Sequence, residues 1–288
     1  LGWFRLLVII LNFKVMKKTT LFLMILIAVL NNSCEDVVNV DLNTAPPKLV
    51  IEASINWLKG TTGNDQKIKL STTTDYYNNE IPKVSGATVF LKNSSNVIFN
   101  FIENPNSGEY VCNNFIPLIN ETYVLTVISK GQTYTATESL KSVAPITKII
   151  QNNQGGFDGN TIEIKAFYND PSNETNYYLF RYLYSNQVKS NYYVDEDKFY
   201  QGNEFFSISQ NDNLKIGDKI DIRHYGISKP YYNYLNVLAS IAGNSNGSPF
   251  QSPPATVRGN IINTTNFDNY ALGYFSLSEV DTQNYVVQ

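Results

Sequence analysis

The single histidine, His224, sits in Ile220-Asp221-Ile222-Arg223-His224. An imidazole is the side chain best placed to move protons near neutral pH. Its spacing puts it on one face with Ile220 and Ile222, so a histidine at the rim of a sheet core is expected rather than a base or metal ligand. Asp195-Glu196-Asp197 is the densest run of the oxygen donors that Ca²⁺ takes. Asn169-Asp170 with Glu174, and Asp212 with Asp218, are sparser. None has EF-hand spacing, and solvated loops are expected. Glycoside hydrolysis needs two carboxylates a few ångströms apart, but 25 acids allow such a pair anywhere, so none is singled out. GxSxG and HExxH are absent. The loop Asn152–Asn160 carries Gly155, Gly156 and Gly159, but no GK[ST] follows, so a β-turn is expected there. No catalytic residue, metal or cofactor is assigned. Tyrosine is more suggestive: Tyr76-Tyr77, Tyr192-Tyr193 and Tyr231-Tyr232 fall in or near predicted loops or a helix start. An exposed tyrosine offers a flat apolar face and a hydroxyl, which suits stacking on a ligand or anchoring a partner.

Composition narrows the classes. With 22 Lys+Arg against 25 Asp+Glu, the net charge is -3, and no basic excess exists to bind nucleic acid. Two cysteines build neither a disulfide scaffold nor a cysteine zinc site. The 288 residues suit one or two domains with a sizeable core. High Tyr, Phe, Thr and Asn with only 16% charged residues points to strands and turns.

The N-terminus reads as a targeting segment. A ten-residue apolar run, Leu21–Leu30, follows Met16, Lys17 and Lys18, the proportions of a signal peptide with Met16 as the start. Residues 1–15 then form an upstream extension. The run is too short for a ~30 Å hydrocarbon core, which takes ~20 residues. Directly after it comes Asn31-Asn32-Ser33-Cys34. A small residue followed by Cys resembles a bacterial lipoprotein signal, in which the Cys is lipidated and becomes the first mature residue. Asn31 departs from the usual aliphatic residue. Two or more acyl chains hold a protein stably on a membrane, each CH₂ adding about 0.8 kcal/mol. Residues 34–47, with Pro46 and Pro47, form an extended linker.

From Lys48 the chain alternates. Leu49, Ile51, Ala53, Ile55 and Trp57 share one face of a half-buried strand. Gly86–Leu91 and Val97–Phe101 flank Asn93-Ser94-Ser95-Asn96 as a hairpin, and Lys130-Gly131 marks another. About seven strands fall within 48–143, predicting an immunoglobulin-like or transthyretin-like β-sandwich. Pro145 marks a junction. Residues 144–288 predict a second β-rich domain with one short helix near 229–242. Ser228 is its N-cap, Pro230 lies in its first turn, and Tyr231, Tyr234, Leu235, Leu238 and Ala242 form its stripe. The fold class is mainly β.

The order of Cys34-Glu35-Asp36, Lys48–Glu52, Val84–Val89, Gly108-Glu109-Tyr110, Tyr123–Val127, Gly131–Ala136, Tyr231–Leu235, Ser248-Pro249-Phe250, Gly259-Asn260-Ile261 and Leu272–Ser276 resembles the Bacteroidota lipoprotein family termed domain of unknown function 4249. The resemblance implies an outer-membrane lipoprotein, on the cell-surface or periplasmic face, with a TonB-dependent receptor as partner and no known catalytic residues. The expected function is non-catalytic ligand capture or an accessory role in TonB-dependent transport. Alternatives are a surface-polymer hydrolase using carboxylates or a metal, and a structural or adhesive module. Cys34→Ala tests the anchor: it should abolish lipid labelling and release the protein from the membrane fraction, and retention there would refute lipidation.

Overall fold

The period-two pattern after Lys48 becomes strand β1 (Leu49–Leu58), which buries Ile51, Ala53 and Ile55 and leaves Glu52 and Ser54 exposed. The computed structural model describes residues 46–75, 78, 80–156, 159–243 and 257–288. The expected leader with Cys34, nearly all of the expected linker, Tyr76, Tyr77 and Ser248-Pro249-Phe250 lie outside the described residues. The same alternation forms β2 (Gln66–Thr72), β3 (Thr88–Asn93), β4 (Ile98–Glu103), β5 (Glu109–Cys112), β6 (Thr122–Ser129) and β7 (Gln132–Ser139). The β6–β7 turn has Lys130 at φ 48° and Gly131 at φ 73°, as the sequence predicts for a tight hairpin. The hydrogen-bonded order β1-β2-β5-β4-β3-β6-β7 folds over one core containing Phe99, Phe115 and Tyr123. Their rings meet at 5.0 and 5.1 Å. The seven expected strands are present, and they make an immunoglobulin-like sandwich.

The second core lies between two layers. Strands β8 (Ile146–Gly155), β9 (Thr161–Asn169) and β12 (Glu204–Asn211) form a three-stranded sheet in the order β12-β9-β8. Opposite it run β10 (Tyr177–Tyr184), β11 (Asn191–Glu196) and β13 (Lys219–Ile227), in the order β11-β10-β13. Tyrosine fills this core. Tyr168, Tyr178, Tyr182 and Tyr184 are fully buried, and each hydroxyl has a partner: Tyr200 at 2.9 Å, Asp170 at 2.6 Å, the Ser207 carbonyl at 3.2 Å and Ser209 at 2.6 Å. A buried phenol hydroxyl usually finds such a partner, because leaving it unpaired is costly.

The last strand, β15 (Leu272–Val286), corrects the expected division of the chain. Its first part pairs in parallel with β1, from Val50↔Leu272 to Leu58↔Val280. Its second part pairs antiparallel with β13, from Tyr225↔Val280 to Lys219↔Val286. Ile261, Ala271, Phe275 and Leu277, which sequence alone assigns to the second domain, therefore pack in the first core. The short β14 (Ile262–Asn263) likewise pairs with β7. Gly273 is needed at the crossing: its φ is 98°, and a Cβ would sit 2.0 Å from the Ile51 carbonyl oxygen. The junction is held by β15 as well. Glu279 and Asp281 accept hydrogen bonds from the Val143 and Ile146 backbone amides at 2.9 and 2.8 Å.

His224 is central in the second core rather than at its rim. It is fully buried, stacked on Phe180 at 4.0 Å and edged by Tyr168 and Tyr178 at 4.6 and 4.7 Å. Neither ring nitrogen closes a hydrogen bond. Burial pushes its pKa down to about 3, and the Lys59 charge adds to this against a pull from the Ala144 backbone. A neutral ring in the fold and a free imidazole of pKa 6.5 in the unfolded chain give the sign. Between those values the unfolded state binds the extra proton, so stability present above pH 6.5 is lost as pH falls toward 3. His224→Phe should therefore lose about 3 kcal/mol less than the parent between pH 7 and pH 4. Urea denaturation at both pH values measures this, and equal losses would refute it.

Candidate functional site

Strand β7 carries a carboxylate where its alternation calls for an apolar group. Tyr134, Ala136 and Glu138 all point inward, and Glu138 is only 8% exposed. Its carboxylate accepts the Ser139 amide at 3.0 Å and the Ser228 hydroxyl at 2.8 Å. Burial holds its pKa above the usual carboxylate range, and those two bonds and the Lys141 charge oppose that shift. The buried Tyr274 hydroxyl lies beside it without closing a hydrogen bond.

Ser228 joins this carboxylate to the helix α1 (Lys229–Gly243). Its hydroxyl oxygen accepts the Tyr231 amide at 3.2 Å, so it is the N-cap that the sequence predicts. The helix then lies on the outer face of the β10–β13 sheet. Tyr231, Tyr232 and Leu235 pack there with Leu179, Tyr225, Ile227 and Val280. Tyr231 and Tyr234 also meet Tyr274 at 4.7 and 4.6 Å. Leu238 stays 41% exposed, so the stripe ends one turn early. The side chain of Ala242 lies outside the described residues.

A cleft of about 360 Å³ opens where β7, the junction strap, the β9–β10 loop and the start of α1 meet. Glu138, Lys141, Glu174, Asn176 and Lys229 line it. The Asn176 amide donates to Asp197 at 2.7 Å, while the Asn176 side-chain oxygen is buried with no partner. Such an orphaned acceptor costs about 1–3 kcal/mol, a cost that a bound donor would remove. A mostly polar lining with ammonium and carboxylate groups of both signs suits a small polar or zwitterionic ligand. A second depression, beside Trp57, is wider open, and Gly63 and Pro117 pack on one side of the indole.

The acidic residues expected in solvated loops are partly buried. Asp170 accepts the Tyr178 hydroxyl and the Gly202 amide at 2.6 and 3.0 Å, and Asp197 is 1% exposed. Burial and mutual repulsion raise the Asp197 carboxyl, and burial raises Asp195. The fold thus brings Asp170 and Asp195–Asp197 together behind the cleft, where they order loops. No group of three or more metal-binding side chains occurs among the described residues.

The tyrosine candidates separate. Tyr192 and Tyr193 lie on opposite faces of β11. Tyr192 is 61% exposed, whereas Tyr193 turns inward to bond Ser209 at 2.9 Å. Tyr231 and Tyr232 hold the helix to the sheet, Tyr232 meeting Tyr177 at 5.1 Å. Of the six tyrosines, the four described ones, Tyr192, Tyr193, Tyr231 and Tyr232, do not line the cleft. Its one sequence signal is Glu138, a carboxylate on the inward face after Tyr134 and Ala136. Glu138→Ala and Ser228→Ala should each destabilise the fold by about 1–3 kcal/mol and be non-additive by about 1 kcal/mol, because they share one bond. A double-mutant cycle in urea measures this, and strict additivity would refute the clamp.

Among solved structures, the chain is similar to a two-domain fibronectin type-III segment of chicken tenascin. The match has 10% identity and a TM-score of 0.21, covering 62% of this chain and 90% of that one. The first three fibronectin domains of chicken CNTN1 match at 14% identity and TM-score 0.27, over 63% of this chain and 62% of theirs. A DUF4785 family protein of Legionella pneumophila matches at 11% identity and TM-score 0.25, over 64% and 54%. No curated protein matches. The family model described as "Domain of unknown function (DUF4249)" matches residues 35–284, and the chain belongs to that family.

Proposed function

We propose that the protein is a lipid-anchored, non-catalytic binding module of the outer membrane, which captures a small polar ligand as an accessory of a TonB-dependent transporter. The junction cleft carries the capture step. It gathers charges of both signs and the unpartnered Asn176 oxygen around a helix start clamped to the first sandwich. Ligand sites favour such seams between packed units. The anchor rests on Cys34 directly after the apolar leader, and the transporter partnership rests on the family resemblance. On this reading a small ligand held between the two sandwiches is handed on without a covalent step.

One observation favours a second reading. Glu138, with its raised pKa, shares the cleft with Glu174, which suits a carboxylate-dependent hydrolase. Both Glu138 oxygens are already engaged by Ser139 and Ser228, which favours the clamp over an acid. Purification from intact membranes at native expression separates the two. A β-barrel receptor should co-purify with the protein, and Glu138→Gln should leave that association intact. Absence of any barrel would refute the partnership, and turnover of surface polymer lost in Glu138→Gln would favour the hydrolase.

A further inference from the structure

The outer face of the second-core sheet is divided along its length. The half nearest the junction is apolar and lies under α1 through Tyr231, Tyr232 and Leu235. The other half is mostly polar, with Leu183 and Val286 beside Asp221 and Lys219. The register places Tyr192 opposite Arg181, Arg181 opposite Arg223, and Arg223 opposite Thr282, so these side chains share that face in one row. Asp221 and Lys219 follow Arg223 at two-residue steps along β13 on the same face.

This half is locally basic in a chain of net charge -3. Three cations, Arg181, Arg223 and Lys219, meet one carboxylate. Both guanidiniums bond the same oxygen of Asp221, at 2.6 and 3.0 Å. One carboxylate oxygen cannot satisfy two forked guanidiniums. The Arg181 Nε is buried without a partner. Two guanidiniums held side by side by an internal acid present their remaining N–H groups in a fixed geometry, which suits a further carboxylate.

The border of the face adds to this. β11 is the edge of its sheet, paired with β10 alone among the described residues. A strand left open on one side is a template for an added extended segment. Tyr192, 61% exposed on that edge, offers a rigid apolar plate beside the guanidiniums. At the other end of β11, Glu196, on the same face as Tyr192, would repel acid and so set the direction of an incoming acidic chain.

We propose that the row Tyr192–Arg181–Arg223, with Lys219, is a docking surface for an extended, acidic segment of a protein partner. The segment adds along β11 and places a carboxylate on the arginine pair. The surface lies on the outer face of the sheet and stands independently of whether the junction cleft captures a ligand.

The test uses the full chain in detergent with a fluorescein-labelled twelve-residue peptide of alternating Glu and Thr, read by anisotropy and by hydrogen exchange. The peptide should bind, protect β10, β11 and β13 amides, and weaken with added salt. Arg223→Gln with Lys219→Gln should weaken binding about tenfold. The exposed Tyr192→Ser, which leaves the ion pairs in place, should weaken it several-fold. Lys83→Gln with Lys92→Gln, which removes the same charge from the first sandwich, should leave it unchanged. Equal binding of a control peptide of alternating Gln and Thr, equal loss in the Lys83/Lys92 pair, or protection of these strands only by phosphatidylglycerol vesicles would overturn the proposal. None of these outcomes bears on co-purification with a receptor, so this surface and the transporter role fail separately.

Discussion

The structure depends on one strand. β15 completes the first sandwich by pairing with β1 and completes the second by pairing with β13, changing partners at Val280. Ser54 and Ser276 lie side by side yet are 222 residues apart in the chain. Parallel pairing needs a crossover, and here the connection runs through the rest of the first sandwich and all of the second, from β2 to β14. The first core therefore closes only when the last segment of the chain arrives. Such non-local pairing folds slowly, because loop closure precedes the contacts that reward it.

The same strand turns what would be a linker into a rigid seam. Glu279 and Asp281 of β15 cap the Val143 and Ile146 amides, Lys59 pairs with Glu279 at 2.8 Å, and Glu138 clamps the start of α1. Each carboxylate is nearly buried and bonded to a backbone or hydroxyl donor, the condition under which burying acid is tolerable. A cleft on this seam draws its walls from elements that these bonds tie together. Where the seam leaves polar atoms unpaired, as at Asn176 and Tyr274, the fold bears a cost that packing alone does not explain.

Much of the fold was legible in the sequence. The alternation after Lys48, the Lys130-Gly131 hairpin and the Ser228 cap are local signals, and all three hold. The candidate site was less legible. Glu138 carries no mark in the sequence beyond its place in the alternation of β7, and nothing near Glu174 or Asn176 marks them as its neighbours. The tyrosine pairs point in several directions because adjacent residues on a strand face opposite sides. Tyr192 is thus exposed while Tyr193 is bonded inward. His224 was placed correctly on an apolar face, but whether that face is a rim or a centre depends on the sheet laid over it.

By itself the sequence determined what short-range physics controls: a mainly β chain, the strand and turn positions of the first sandwich, and the helix and its cap. Hydrophobic period, turn chemistry and capping act over a few residues and leave their mark in residue order. Only the tertiary structure decided which strands are neighbours. It put β15 between β1 and β13, gathered Glu138, Asn176 and Lys229 into one cleft, and set Arg181 beside Arg223. Register and sheet order arise from packing energies summed over the whole chain, and those sums have no local signature.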